Sequence, residues 1–218
     1  IAAGGQTFVS GTVTGDATVA GFLQNTGTIT GTTTVTLGGF VQGGSMFGSI
    51  DNQAGVVAPG VSGDPIKTFI LSGSFSQGAG GELRMDIDPS VGNDRINVTG
   101  TATLGGALTI SVLNPVAEGA RYTLISADGG LVGDFDSVTL TGSEYLYEIQ
   151  RPNNTDYDVV FFTSPWVLLQ DPSLNDNQRN VLRSIAISLG NGQVTTDLGD
   201  IAVQLSETAN LGQALNQL

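Results

Sequence analysis

Ser74-Phe-Ser-Gln-Gly-Ala-Gly-Gly (residues 74–81) and Asp94-Arg-Ile-Asn-Val-Thr-Gly-Thr-Ala-Thr-Leu-Gly-Gly (94–106) carry the architecture, with Tyr122-Thr-Leu-Ile (122–125) and Gly133-Asp-Phe-Asp-Ser-Val (133–138) behind them. Each is a short run of strand-favouring residues, and glycine punctuates the series. Between the first two lies Glu82-Leu-Arg-Met-Asp-Ile-Asp, which alternates strictly. Leu83, Met85 and Ile87 fall on one face, and Glu82, Arg84, Asp86 and Asp88 on the other. A period of two predicts a strand with one face in a core and the other in water. Leu104, Leu108, Ile110, Tyr122, Leu124 and Ile125 continue the apolar supply. Gly105, Gly106, Gly129 and Gly130 are placed for tight turns, since glycine tolerates positive φ.

Working outward, the phrases repeat. Gly11-Thr-Val-Thr-Gly recurs 16 residues later as Gly27-Thr-Ile-Thr-Gly, and Phe22-Leu-Gln-Asn recurs 18 residues later as Phe40-Val-Gln-Gly. Ser74-Phe-Ser-Gln-Gly reads as a third copy. A period near 16–20 with strand content is the mark of stacked coils, each too small to bury a core alone. The expected fold is therefore all-β, a parallel β-helix. With strands about 4.8 Å apart, roughly eight or nine turns give a rod on the order of 40 Å.

Composition shifts after Phe162, where Pro165 and Pro172 interrupt the strands. Ser173 is the expected cap of a helix to about Leu189, with Val181, Leu182, Ile185, Ala186 and Leu189 at helical spacing. Gly190-Asn-Gly breaks it. Asp197 starts a second helix with Leu198, Ile201, Ala202 and Leu205 on one face, and a third runs from Glu207 to Leu218. The faces of 178–189 and 198–205 are candidate partner surfaces. No apolar run approaches the roughly 20 residues of a spanning helix. The chain opens at Ile1 in mid-pattern, as a segment of a longer protein would.

Charge and composition narrow the chemistry. The 218 residues carry a formal net charge of −13, only seven Lys and Arg, and no histidine or cysteine. Nucleic-acid binding relies on cations that neutralise phosphates, so this balance disfavours it. Without His or Cys there is no Ser-His-Asp triad, Cys-His pair, histidine zinc site or disulfide. An absence of cysteine also suits a chain that crosses membranes unfolded.

The ordered phrases resemble one family. Val57-Ala-Pro-Gly, Gln77-Gly-Ala-Gly-Gly-Glu-Leu, Asp94-Arg-Ile-Asn-Val-Thr-Gly-Thr-Ala-Thr-Leu-Gly-Gly-Ala-Leu and Gly133-Asp-Phe-Asp-Ser-Val resemble the C-terminal passenger region of classical bacterial (type V) autotransporters. Asn175-Asp-Asn-Gln-Arg-Asn-Val and Gln213-Ala-Leu-Asn-Gln-Leu are similar to the helical linker before their outer-membrane barrel. The match covers about 55–165 and 173–218; the barrel itself is not in the sequence. The resemblance implies a right-handed single-stranded parallel β-helix with a C-terminal helical tail. It divides the chain into rungs (1–99), a cap with autochaperone character (100–165) and a linker (166–218). It implies a stalk that supports export and surface display of a virulence or adhesion factor, with residues 100–162 as the folding seed. It further implies the bacterial cell surface or outer membrane, with or without release to the medium, and no catalysis, metal or cofactor. The implied partners are the protein's own C-terminal β-barrel and a host-cell surface or another passenger copy, and no nucleic acid. Adhesion by the rod itself, or a polysaccharide-acting β-helix, are the alternatives.

Carboxylates are the remaining candidates for chemistry. Asp86 and Asp88, with Arg84, share a strand face on which two carboxylates can act as acid and base; a solvated face is the alternative. Asp134 and Asp136 flank Phe135, expected inward. Asp86, Asp88, Asn93 and Asp94 offer oxygen ligands for calcium, but without the spacing of a known calcium loop. Asn97-Val-Thr and Asn153-Asn-Thr match the glycosylation sequon. Trp166 is expected to anchor the end of the stack, and Tyr145, Tyr147 and Tyr157 to pack on the final strands or offer a sugar-stacking platform.

Overall fold

Strands here are short because glycine or a polar turn ends each apolar alternation; they run from two to eight residues. The computed structural model describes residues 1–44, 46–143, 145–163, 168–170 and 172–190. The regular structure is all-β as far as Phe162, and a helix follows at Asp176–Gly190. Two compact units emerge: Ile1–Pro115 with Tyr122–Gly142 and Ile149–Val159, and a smaller one of Val116–Arg121, Ser143–Glu148 and Val160–Leu218.

In the larger unit, seven strands of one sheet follow each other in sequence order: Gln6–Val9, Phe22–Asn25, Phe40–Gly43, Val56–Pro59, Glu82–Asp88, Ala107–Val112 and Ser137–Thr141. Every neighbouring pair among them is parallel. Parallel neighbours need a crossover, and here each crossover is built from further strands. Thr28–Val35 and Met46–Asn52 are long enough to serve two strand columns of a second sheet. One column continues through Thr68–Leu71, Arg95–Val98 and Arg121–Ala127, the other through Phe75–Gln77, Ala102–Leu104 and Leu131–Gly133. An antiparallel hairpin branches from the first sheet, where Ile87 and Asp88 pair with Asn93 and Gly92.

Register tests the repeat. Thr12 pairs with Thr28, and Phe22 with Phe40, as the recurring phrases predict. The step then lengthens, from Val56↔Glu82 to Ala107↔Ser137. Excursions at 60–67, 88–94 and 113–120 take up the added residues. The first sheet therefore stacks seven parallel strands, fewer than the eight or nine turns that a constant short period implies. For the same reason Ser74-Phe-Ser-Gln is not a third copy of the Phe22 and Phe40 phrases. Phe75 pairs with Ile50 and Ala102 in the second sheet and is fully buried, whereas Phe22 and Phe40 are half-exposed on the first. A longer repeat shifts the phase of the alternation, and a one-residue shift reverses the buried face.

The core consists of register-matched apolar columns. Leu23, Val41, Val57, Leu83 and Leu108 are partners in succession and all buried. Leu83, Met85 and Ile87 point inward, as their alternation predicts. One column switches chemistry: Val35 is followed by Asn52 and then Gln77, both buried. Asn52 Nδ2 donates to Gln77 Oε1 at 3.0 Å, and Gln77 Nε2 donates to the Gly105 and Ala107 carbonyls at 2.8 and 2.9 Å. Asn52 Oδ1 accepts from Gly55 N at 3.0 Å. The amides thus satisfy backbone groups at a corner where the sheet ladder stops. Among the predicted turn glycines, Gly106 and Gly130 have φ of +62° and +89°, whereas Gly105 and Gly129 do not enter the left-handed region.

In the smaller unit, Phe161 N donates to the Ala120 carbonyl and Gly119 N to the Phe161 carbonyl. The helix begins at Asp176, and its cap is Asn175 in place of Ser173. Asn175 Oδ1 accepts from Gln178 N at 3.0 Å while Gln178 Oε1 accepts from Asn175 N at 2.8 Å. This reciprocal box satisfies two donors that Ser173, two residues upstream, is not placed to reach. Leu174 and Leu182 are buried. Asn175→Ala is expected to lower the stability of this helix by about 1 kcal/mol, read as an earlier loss of far-UV helical signal on heating. Trp166 and the helices expected over 197–218 lie outside the described residues.

Candidate functional site

A groove of about 480 Å3 opens on the outer face of the first sheet. Its floor and walls include Phe40, Gln42, Arg84, Asp86, Asp94 and Ser111, with the Pro59–Pro65 excursion along one side. The excursion is fixed at its root. Gly43 and Gly60 exchange two backbone hydrogen bonds, of 3.0 and 2.6 Å. Both have positive φ, and a Cβ on either would sit 1.9 Å from a carbonyl oxygen, of Asn25 and Pro65 respectively. Only glycine fits at this crossing. Val61 and Asp64 exchange two further bonds of 3.0 Å, and Lys67 forms an ion pair with Asp64.

Arg84 lies over the Phe40 ring, 5.9 Å from its centroid, and is clamped by Glu82 through two bonds of 2.9 Å. That clamp raises the Arg84 pKa and, with the Thr109 hydroxyl adding to it, lowers that of Glu82. The Arg84–Glu82 contact is largely solvated, so it orients the guanidinium more than it stabilises the fold.

The acidic residues separate by environment. Asp86 and Asp88 do share the outward strand face. Asp88, however, accepts from Ser90 N and Oγ and from Asn114 Nδ2, bonds that hold its pKa down. Asp86 is half-buried, and that burial raises its pKa against the opposing Ser111 hydrogen bond. Its close neighbour is Asp94. The 88–92 hairpin folds Asp94 back, so that Asp94 N donates to the Asp86 carbonyl and Asp86 N donates to Asp94 Oδ2 at 2.9 Å. Asp94 Oδ1 accepts from Lys67 N at 2.8 Å, and the residue is 1 % exposed. Burial pushes its pKa up to about 8, overriding the two backbone donors; the charge of Asp86 adds to the rise. Asp94 therefore ties the loop ending at Lys67 to the Glu82–Asp88 strand, and the proposed calcium cluster is split between two hydrogen-bond networks. The sequence cue for the Asp86–Asp94 pairing is Gly92-Asn93, a turn signal between two carboxylates.

Phe135 is buried, with its ring edge-on to Tyr157 at 5.3 Å. Asp134 accepts from the Tyr157 hydroxyl at 3.0 Å and from Phe135 N at 2.9 Å, and Asp136 accepts from Gly106 N at 2.7 Å. These carboxylates serve as turn staples, and Tyr157 is core. Tyr145 and Tyr147 are half-buried. Asn97 sits within the Arg95–Val98 strand, and Asn153 is exposed in a turn. Among the described residues no three acidic, histidine or cysteine side chains gather as a metal site. No protein-family model matches the chain, and no curated protein matches it significantly.

Proposed function

We propose that this chain is the C-terminal stalk of a bacterial autotransporter passenger, a right-handed single-stranded parallel β-helix that supports export and display at the cell surface. Its role is structural, and its last coils, residues 100–162, seed folding. The observation that supports this is the unbroken parallel register of the first sheet, from Gln6–Val9 to Ser137–Thr141. In such a stack each coil contacts only its neighbours, so folding spreads from whichever end forms first. An unpaired strand edge is an aggregation hazard until the next coil covers it, which makes a stable terminal coil a useful start. The proposed partner is the protein's own outer-membrane barrel.

Refolding kinetics test the seed. A chain cut after residue 99 is expected to refold at least about tenfold more slowly than the whole, equivalent to ~1.4 kcal/mol of lost transition-state stabilisation. Equal refolding rates and equal urea midpoints for the two would sink the proposal. Adhesion is the second reading, favoured by the row of Phe8, Phe22 and Phe40 on the outer face, with centroids 5.9 Å apart.

A further inference from the structure

A buried carboxyl holds one end of the 60–67 excursion. Asp94 Oδ1 accepts from Lys67 N at 2.8 Å, and Arg95 N donates to the Lys67 carbonyl at 3.0 Å. At the other end Gly60 crosses Gly43 through their two backbone bonds, with φ of +91° and +134°. Between these roots the excursion bonds to itself: Val61 pairs with Asp64, and Asp64 with Lys67. It can therefore move as one piece about a glycine crossing, where backbone rotation meets little steric cost. The 88–94 hairpin that carries Asp94 is held more firmly. Asn93 Nδ2 donates to the Thr123 carbonyl at 2.7 Å, and Asn114 Nδ2 to Asp88 Oδ2 at 2.9 Å.

The charges around Asp94 leave its carboxyl uncompensated. The Lys67 ammonium is taken by Asp64, and the Arg84 guanidinium by Glu82. Arg95, next in sequence, lines a separate groove on the second sheet with Ile70 and Ser126. The Ala107–Val112 strand brings Ser111 and no charge. On the next strand Arg121 is exposed, and Tyr122 is held above its usual pKa by burial and by the charge of Asp88. Asp88 itself is held by Ser90 and Asn114, whereas half-buried Asp86 adds its charge beside Asp94. Among the described residues Asp94 thus has a like charge for a neighbour and no cation. An ionised Asp94 gains most by reaching water, and the least anchored element over it is the excursion.

We propose that the 60–67 excursion is a strap on the groove, hinged at the Gly43–Gly60 crossing and latched by the Asp94 carboxyl, and that it lets go when this carboxyl ionises. The proposal is independent of the stalk reading. The closed state holds the Asp94 proton up to about pH 8, whereas a hydrated aspartate loses it near 3.9. The ratio of open to closed should therefore rise about 300-fold between pH 5.5 and 9. The test uses the whole chain, whose lack of cysteine lets two nitroxides be placed at Ser62→Cys on the strap and Thr139→Cys on the outward face of the first sheet. Double electron–electron resonance should show one narrow distance at pH 5.5 and a second, longer population at pH 9, with near-UV circular dichroism unchanged. Adding Asp94→Asn should make the distribution independent of pH, and Asp86→Asn should reduce the rise. A distribution that does not change up to pH 9 overturns the proposal, as does a change that persists in Asp94→Asn. Loss of the near-UV signal in step with the new distance does the same, because the opening is then global.

Discussion

Phe69→Ala is expected to cost the larger unit about 3–5 kcal/mol, the usual loss for a fully buried ring. Phe69 has no exposed surface, lies 5.0 Å from the Phe47 ring at 60°, and pairs in register with Ile96. Its strand, Thr68–Leu71, is bonded to Met46–Asn52 on one side and to Arg95–Val98 on the other. A cavity here therefore loosens two ladders at once, and parallel columns have no spare side chain to collapse into it. The neighbouring Ile70→Ala is the internal control. Ile70 is on the same strand but points outward, so its loss should cost less than about 1 kcal/mol. Urea unfolding of both variants, with midpoints compared at constant slope, measures the difference. Equal costs would show that Phe69 and Ile70 do not differ in burial, and a larger cost for Ile70→Ala would reverse the two faces of this strand.

That assignment shows where the sequence is legible and where it is not. Glu82–Asp88 could be read residue by residue, because a strict period of two leaves one register that buries Leu83, Met85 and Ile87. The 16-residue and 18-residue phrase repeats mapped directly onto Thr12↔Thr28 and Phe22↔Phe40. The repeat loses its constant step where an excursion enters it. Composition does not state how many residues an excursion consumes, so the phrase repeat alone does not reveal that Phe75 belongs opposite Ile50 and Ala102. The same limit hid the groove. Asp86 and Asp88 are neighbours in sequence, but the partner of Asp86 is Asp94, brought back by a hairpin whose only cue is Gly92-Asn93.

Asp94 gives the second large effect, a stability that falls as pH rises. An unfolded aspartate titrates near 3.9, whereas buried Asp94 titrates at about 8. Between those values the folded chain holds a proton that the unfolded chain has released. The unfolded state then binds fewer protons, so the derivative of unfolding free energy with pH is negative. The stabilisation is complete below the unfolded pKa and is lost as pH climbs through 8. The limiting slope is about 1.4 kcal/mol per pH unit, or roughly 3 kcal/mol between pH 5.5 and 8. This window is unusually clean, because the chain has no histidine to titrate within it. Half-buried Asp86 is shifted in the same direction and adds a smaller contribution of the same sign. Asp94→Asn should flatten the profile. It should also be less stable than the parent at pH 5.5, since its amide NH2 faces a backbone donor that the carboxyl oxygen accepted from, Lys67 N or Asp86 N. At pH 9, where the parent must bury a charge, the two curves should meet or cross. Urea midpoints measured from pH 5.5 to 9 for both proteins check this. A parent curve that rises with pH, or a variant as steep as the parent, would show that the two backbone donors outweigh burial and that Asp94 is an ordinary buried carboxylate.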